Sequence, residues 1–226
     1  MTFKDLIDGY MDEWLETYRY LHAHPELSFQ EKETSAFLAA RMREAGFEVT
    51  EGFGDYGTPD KVPYGIVAVL ENGDGPTVMI RTDMDALPVT EKTGLPYASL
   101  VKVLDDSGAE TGVMHACGHD VHMTSFLAVA RVLAENRDRW SGTLMMIGQP
   151  AEETGGGAMS MLRGDWDGKF RRPDYALAFH LHDSLPAGTV GYTPEYAMAN
   201  VDSVDILIRG VGGHGALPHK TRDPIV

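Results

Sequence analysis

Hydrophobic residues recur every three to four positions in four stretches of the chain, which is the spacing of an amphipathic helix. The first stretch ends at His24-Pro25-Glu26, because proline lacks a backbone donor and clashes with the preceding turn. In the second, Glu31 follows Ser28 at the spacing of a capping box, and Gly46 terminates the helix. The helices predicted in this way cover residues 4–22, 28–46, 121–135 and 158–162.

Short apolar runs bounded by turn-forming residues alternate with these helices and predict buried strands. They cover residues 64–70, 77–81, 143–147, 175–179 and 189–192. Apolar strands alternating with helices indicate an α/β fold, in which helices cover both faces of a mixed, mostly parallel sheet. From residue 201 the pattern changes, since residues 201–209 alternate like a half-exposed strand and a glycine-rich turn follows. This change predicts the start of a second, smaller α+β domain.

The composition limits what this chain can bind. With 226 residues, 43% of them hydrophobic and 23% charged, the chain can fill a core. Its formal net charge of −15 argues against binding to nucleic acid or to anionic membranes. No apolar run reaches the roughly 18 residues that cross a bilayer. A single cysteine excludes an intrachain disulfide, and the first residues lack a signal-peptide pattern, so we expect a cytoplasmic protein.

The single cysteine lies in a cluster of groups that bind metals or move protons. Cys117 and His119 flank Gly118, and Asp120 and His122 follow within three residues. A thiolate, imidazoles and a carboxylate this close would compete or repel unless a divalent cation organised them. The motif also precedes a predicted helix, whose N-terminus favours a thiolate. An inert buried cysteine beside a chance histidine is the alternative, and the additional ligands favour a metal site.

Two adjacent glutamates form a second motif. Glu152 and Glu153 follow the predicted strand 143–147 and precede three glycines, where backbone can approach a ligand closely. Adjacent side chains at an extended strand end point in opposite directions. We therefore expect different roles, with one carboxylate binding metal and the other acting as general base. A solvated acidic turn is the alternative.

Other candidate ligands also stand where predicted strands end. Asp83 and Asp85 follow the strand 77–81 and share a face, and either is a ligand or orients a ligand's ring nitrogen. His180 and His182 close another strand, and because they face different ways only one of them is expected to bind. Ligands bind at the carboxyl ends of strands in an open α/β sheet, so we expect these residues to converge there with the glutamates.

Three further histidines each have two interpretations. His22 and His24, at the end of the first predicted helix, either cap and pack that helix or lie near a substrate. His214 lies in the glycine-rich turn of the predicted second domain, where it is either structural or functional. The local pattern alone leaves these alternatives open.

Five motifs along the chain resemble those of the M20 metallopeptidase family. The resemblance is closest to its amidohydrolase branch, which includes hippurate hydrolase, N-acyl-amino-acid amidohydrolases, N-acetyldiaminopimelate deacetylase and plant auxin-conjugate hydrolases. Asp83 stands where other branches have a histidine, which agrees with the cysteine-containing branch. The motifs, which span essentially the whole chain in the same order, are Arg19-Tyr-Leu-His22-Ala-His-Pro25-Glu26-Leu-Ser, Arg81-Thr-Asp-Met-Asp85-Ala-Leu-Pro88, His115-Ala-Cys-Gly-His-Asp120, Gln149-Pro-Ala-Glu-Glu153 and Gly213-His-Gly-Ala-Leu-Pro-His219.

The resemblance implies a catalytic α/β domain with two divalent metal ions and a smaller lid domain that mediates dimers. The ligand types suit Zn, with Mn, Co or Ni as alternatives. Glu152 would be the general base, and His214 would reach into a partner subunit's active site to stabilise the tetrahedral intermediate. Asp85 and Asp120 would support the ligands without binding the ions. The implied metal ligands are Cys117, His119, Glu153 and His180.

Members of this family are considerably longer than this chain. The resemblance therefore implies that residues 1–197 belong to the catalytic domain, that residues 198–226 begin the lid, and that one more histidine ligand lies beyond residue 226. The implied activity is hydrolysis of the amide bond of an N-acyl amino acid, such as an N-acetyl or N-benzoyl derivative. The alternatives are a dipeptidase-like peptidase of the same family, a non-catalytic fragment that binds metal or ligand, and an enzyme completed by a separate chain.

Overall fold

A computed structural model describes residues 2–104, 108–196, 198–199, 201–202 and 204–225. The chain divides into two compact units, Met1–Leu181 and His182–Val226. The domain boundary predicted between residues 197 and 198 involves Ala197, which lies outside the described residues. That boundary between functional domains stays a prediction.

Among the described residues, the first unit contains six α-helices, none long and apolar enough to cross a membrane. They are α1 Phe3–Gly9, α2 Met11–Ala23, α3 Lys32–Glu44, α4 His119–Glu135, α5 Gly157–Arg163 and α6 Trp166–Lys169. The predicted helix over residues 4–22 is two helices, because Tyr10 leaves helical geometry with φ −113° and ψ 13°. The Arg131 guanidinium lies 3.9 Å from the Tyr10 ring centre, and the Tyr10 hydroxyl donates to Glu135 at 3.0 Å. These contacts fix the break against α4.

The capping box predicted for the second helix is wrong. α3 begins four residues after Ser28, and its backbone N–H groups at Glu33 and Thr34 donate to the Glu26 carboxylate at 3.1 and 2.7 Å. The side chains of Ser28 and Glu31 instead reach the loops that follow two strands of the sheet. Tertiary hydrogen bonds have therefore replaced the local capping bonds.

The described residues form seven strands, five of them in one mixed sheet. They are β1 Glu48–Phe53, β2 Gly65–Asn72, β3 Thr77–Asp83, β4 Lys102–Leu104, β5 Glu110–Gly112, β6 Gly142–Gln149 and β7 Tyr175–Ala178. The sheet order is β1-β2-β6-β3-β7, and β4 and β5 form a separate antiparallel ribbon. β2 pairs antiparallel with β1 and β6, whereas β3 pairs in parallel with β6 and β7. The predicted mixed α/β sheet is confirmed, although its described pairings are equally antiparallel and parallel and not mostly parallel.

Helices cover both faces of this sheet, as predicted. One core cluster joins Leu38 of α3 and Phe126 of α4 to Met146 of β6. The second joins Met161 of α5 to Met145 of the same strand. Because successive residues of a strand face opposite sides, Met145 and Met146 enter different clusters. Burial on both faces explains why this strand is apolar over most of its length.

The described residues of the second unit form little regular structure. They contain a 3₁₀ turn at Pro218–Lys220 and an isolated bridge between Val211 and Arg222. The strands predicted over residues 189–192 and 201–209 are wrong, since the described residues of both stretches have no strand geometry. A strand satisfies its backbone groups only beside a partner strand, and the described part of these stretches has none.

Candidate metal centre

The carboxyl ends of the parallel strands β3, β6 and β7 lie at one edge of the sheet, beside the N-terminus of α4. Asp83 ends β3 and Asp85 follows it, the glutamate pair follows β6, and His180 follows β7. Cys117 and His119 reach the same edge from the start of α4. Contacts among these side chains join the strand ends to the helix, as the predicted topology implied.

His119, the first residue of α4, is fully buried and keeps one ring nitrogen free. Its Nδ1 lies 2.8 Å from the backbone carbonyl oxygen of Asp85. Because a carbonyl only accepts, Nδ1 carries the proton and the neutral ring has its lone pair on Nε2. Nε2 has no hydrogen-bond partner among the described residues. Burial lowers the pKa of His119, but the hydrogen bond to Asp85 and the charges of Asp83 and Asp85 outweigh it and raise the pKa.

Three carboxylates surround this free nitrogen. Nε2 of His119 lies 3.6 Å from Asp83 Oδ2, 3.7 Å from Glu153 Oε1 and 3.8 Å from Glu152 Oε2. Nitrogen and oxygen ligands bound to one zinc ion stand about 3.4 Å apart, from bonds of about 2.0–2.2 Å at a tetrahedral angle. Oε1 of Glu153 is also buried without a hydrogen-bond partner among the described residues. The donor set therefore fits a cation that the carboxylates and the imidazole would share.

The two glutamates do not point in opposite directions, so that expectation was wrong. Glu152 and Glu153 lie in a turn after β6 and not in an extended segment. Because the backbone turns there, both carboxylates approach His119. The turn is tight, since buried Ala151 has a positive φ of 47°. A Cβ at Gly157 would lie 1.5 Å from a backbone carbonyl oxygen of the same turn. At least this glycine of the run is required by packing of the turn itself.

Cys117 and His180 form the other half of the site. Sγ of Cys117 lies 3.3 Å from Nε2 of His180. Sulfur and nitrogen ligands of a tetrahedral zinc ion stand about 3.5 Å apart, from bonds of about 2.3 and 2.0 Å. Nδ1 of His180 donates to the carbonyl oxygen of Leu181 at 2.6 Å, which leaves the Nε2 lone pair available. The potential ligand atoms of Cys117, His119 and His180 all lie within 4.8 Å of one another.

His122 also lies close enough to form a metal group with Asp83 and His119. Both of its ring nitrogens are engaged, however, with Nδ1 2.8 Å from Asp83 Oδ1 and Nε2 accepting the backbone N–H of Leu181 at 2.9 Å. Burial raises the pKa of Asp83, but the hydrogen bond from His122 and the charges of His119 and Arg81 outweigh it and lower the pKa to about 2. Asp83 is thus an anion that orients its neighbours, and His122 has no free ligand atom.

Asp85 is the buried residue that joins the separate parts of the site. Its backbone carbonyl orients His119, and its Oδ2 accepts the Ser28 hydroxyl at 2.7 Å and the backbone N–H of Glu153 at 3.0 Å. Its Oδ1 has no hydrogen-bond partner among the described residues, and it lies 3.6 Å from Nδ1 of His119. Asp85 therefore connects His119, Ser28 and Glu153, and its predicted role in supporting the ligands stays a prediction.

The Asp120 carboxylate contacts the buried His22 ring. Nδ1 of His22 lies 2.7 Å from Asp120 and Nε2 lies 3.1 Å from Glu91. Burial lowers the pKa of His22, but its hydrogen bonds to Glu91 and Asp120 outweigh that effect and raise the pKa. His22 therefore links α2 to the start of α4. His24 is exposed and contacts the backbone carbonyl of Tyr20 at 2.7 Å, which is a local packing contact at the helix end.

The environment of Cys117 opposes the expected thiolate. Burial raises the pKa of the Cys117 thiol to about 11, and the negative charges of Glu153 and Glu152 contribute to the rise. The start of α4 does not outweigh these effects. A cation bound between the carboxylates and the sulfur would reverse them, because it favours the charged form of every group around it.

Metal binding is therefore expected to release the thiol proton of Cys117. With a thiol pKa of about 11, the group is protonated at pH 7.5 before the ion binds and deprotonated afterwards. The affinity for Zn²⁺ should then rise with pH until the pH reaches the pKa of the Cys117 thiol. Calorimetric titration of Zn²⁺ in buffers of different ionisation enthalpy measures the protons released. A binding enthalpy independent of the buffer would contradict the prediction.

Glu31 supports the turn that carries the glutamate pair, a role that its local sequence did not predict. Its side chain is completely buried, and Oε1 accepts the backbone N–H of Ala151 at 2.6 Å, directly before the glutamate pair. Burial raises the pKa of Glu31 to about 7, and the charge of Asp85 contributes. Its position three residues after Ser28 matches a capping box, so the local sequence indicated a different role.

His182 and His214 lie in the second unit and are exposed. Nδ1 of His182 contacts the Ser184 hydroxyl at 2.8 Å, and Nδ1 of His214 accepts the backbone N–H of Ala216 at 3.1 Å. Both are local turn contacts. The role predicted for His214 stays a prediction.

Proteins of known sequence resemble this chain over nearly all of its length. A family model described as Peptidase family M20/M25/M40 matches residues 79–219. The N-acetyl-L-cysteine deacetylase of Bacillus subtilis (strain 168) is 39% identical over 92% of this chain and 45% of its own. Thermostable carboxypeptidase 1 of Saccharolobus solfataricus is 40% identical over 95% of this chain and 51% of its own. The chain spans about half the length of the curated relatives it matches.

A solved structure shares the fold described above. It is the crystal structure of a dinuclear metal-binding peptidase of the M20 family from Bacillus subtilis. The match has a TM-score of 0.68 and 35% sequence identity, and it covers 82% of this chain and 47% of that one.

Proposed function

Because this chain belongs to peptidase family M20/M25/M40, we propose that it is the metal-binding part of an amidohydrolase acting on N-acyl amino acids. The arrangement around His119 carries the proposal. Its free Nε2 faces Glu153 at 3.7 Å and Glu152 at 3.8 Å. In hydrolysis by a metal-activated water, one carboxylate can bind the metal while a second, close to it, takes the proton of the water. The deacetylase relative supports an N-acyl amino acid as the substrate class.

We propose two divalent ions, Zn, Mn, Co or Ni, held by Cys117, His119, Glu153 and His180. A thiolate, two imidazoles protonated on Nδ1 and a carboxylate form a donor set that suits zinc. The dinuclear peptidase from Bacillus subtilis supports the number of ions. When bound, such ions polarise a carbonyl group and lower the pKa of water.

Different exposure of the two glutamates supports different roles. The Glu153 side chain is 19% exposed, and its backbone N–H is fixed on Asp85, as suits a ligand. The Glu152 side chain is 35% exposed and reaches both His119 and solvent. Glu152 is the proposed general base. It takes a proton from the water that attacks the carbonyl carbon, and it delivers a proton to the departing amine nitrogen.

The proposal extends to the second unit through the family resemblance. Residues 1–197 would belong to the catalytic domain and residues 198–226 would begin a lid that mediates a homodimer. His214 would donate to the oxyanion in the active site of a partner subunit. We propose a cytoplasmic location because the chain has a single cysteine, which fits a reducing compartment.

Removal of metal is expected to abolish hydrolysis of N-acetyl-L-cysteine, other N-acetyl amino acids and hippurate. The protein would be treated with a chelator, checked by elemental analysis, and reloaded separately with Zn²⁺, Mn²⁺, Co²⁺ and Ni²⁺. Release of free amino acid measures the activity. Full activity without metal would contradict the proposed mechanism, and bound metal without hydrolysis would favour a non-catalytic metal-binding fragment.

A peptidase is the second candidate, because a carboxypeptidase relative matches the chain at 40% identity. Both reactions cleave an amide bond with the same side chains. The ratio of kcat/KM for N-acetyl amino acids to that for dipeptides with the same C-terminal residue separates them. A ratio well below one would favour the peptidase.

A further inference from the structure

The His122 ring is buried between two partners that fix both of its nitrogens. The backbone N–H of Leu181 donates to Nε2 at 2.9 Å, so Nε2 is an acceptor. Nδ1 then carries the proton and donates to Asp83 Oδ1 at 2.8 Å. Asp83 accepts a further bond from Arg81 at 2.8 Å. A chain of directed hydrogen bonds therefore runs from the guanidinium on β3 to the main chain that follows β7.

This main chain carries His180 outside regular structure. β7 ends at Ala178, and every residue of the strand is exposed. The backbone N–H of Leu181 is held on His122, whereas its half-exposed side chain only lies beside Gly118 at the start of α4. Position 118 favours glycine because its φ is +81°, a left-handed conformation that other residues rarely adopt.

We propose that His122 is a positioning residue that fixes the main chain at Leu181 and thereby holds His180 at the metal centre. The same residue contacts both rings, since the Leu181 carbonyl accepts from Nδ1 of His180 at 2.6 Å and its N–H donates to His122. The two ring centres are 4.8 Å apart. The result is the 3.3 Å approach of His180 Nε2 to Cys117 Sγ. This inference rests on the proposed function, because it needs His180 to bind metal.

Asparagine and glutamine separate the two hydrogen bonds of His122. In His122→Asn, the amide nitrogen replaces Nδ1 and keeps the bond to Asp83, but no atom reaches Leu181. In His122→Gln, the amide oxygen lies near the Nε2 position and keeps the acceptor for the Leu181 N–H. With Co²⁺ as the probe, H122N is expected to bind about 10–100-fold more weakly than the original protein, with altered visible absorption of the bound ion. H122Q is expected to keep most of the affinity.

Leu181→Ala is the matched control, because it keeps the backbone N–H and should bind Co²⁺ nearly as well as the original protein. Equal affinity of the original protein and H122N would overturn the inference, and so would equal weakening in H122N and H122Q. Nitrogen-15 chemical shifts of the metal-free original protein should show the His122 proton on Nδ1, and a proton on Nε2 would also overturn it. Co²⁺ binding in this pattern without amide hydrolysis would instead contradict the proposed function alone.

Discussion

Glu152→Gln is expected to lower kcat for an N-acetyl amino acid by about 10²–10⁴-fold, while the metal content of the protein stays unchanged. Glutamine keeps the size and shape of the side chain but cannot take a proton from the attacking water. The Glu152 side chain is 35% exposed and belongs to no core cluster, so the substitution should leave folding intact. Steady-state kinetics and elemental analysis of the same sample measure the two quantities.

Glu153→Gln is the matched control for that experiment. The Glu153 carboxylate is more buried than that of Glu152, and its Oε1, which has no hydrogen-bond partner among the described residues, lies 3.7 Å from His119 Nε2. This variant should therefore lose metal as well as activity. Loss of metal from E152Q, with metal retained in E153Q, would instead indicate that Glu152 is the metal ligand and Glu153 the general base. Nearly full kcat in E152Q would show that Glu152 is not the general base.

Glu31→Gln is expected to raise the free energy of unfolding above neutral pH by up to about 3 kcal/mol relative to the original protein. Burial raises the Glu31 pKa from 4.5 to about 7, and each unit corresponds to about 1.4 kcal/mol. The protonated carboxyl contributes stability that is complete below pH 4.5 and is lost as pH rises through 7. Glutamine is neutral throughout and still offers an oxygen to the Ala151 N–H. Urea unfolding at several pH values measures the difference.

The stability difference between E31Q and the original protein should grow between pH 4.5 and 7 and then stay constant. Parallel curves for the two proteins would contradict a raised Glu31 pKa. Glu31→Ala is the contrasting variant, because it leaves the buried N–H of Ala151 without an acceptor. That loss costs about 1–3 kcal/mol. We expect E31A also to lose activity, since the turn carrying Glu152 then lacks its support.

Strong local patterns predicted the elements that position the site. α4 and β6 are periodic or apolar over most of their length, so burial and local preference agree there. The gathering of Asp83, His119 and the glutamates followed from topology, because parallel strands place their carboxyl ends at one edge. These features depend on patterns that a single sequence contains.

Other features depend on contacts between distant residues. The direction of Glu152 follows from a turn at Ala151, which Glu31 supports from 120 positions away. The residues around Glu31 do not distinguish this role from that of a helix-capping residue. The alternation of apolar and polar residues over 201–209 predicted a strand. Such alternation gives a segment one apolar face, but a strand also needs a neighbouring strand for its backbone hydrogen bonds. The raised pKa of the Cys117 thiol likewise reflects its burial first, and then the charges of two glutamates that lie more than thirty residues along the sequence.

Both imidazoles of the proposed centre take their orientation from peptide carbonyls, His119 from Asp85 and His180 from Leu181. Every amino acid carries that oxygen, whatever its side chain. Substitutions at position 181 can therefore accumulate during divergence without rotating the His180 ring, provided that the chain keeps its path. Inheritance of ring orientation then depends on backbone trajectory more than on residue identity, and lineages with different residues at such positions can preserve the same imidazole geometry.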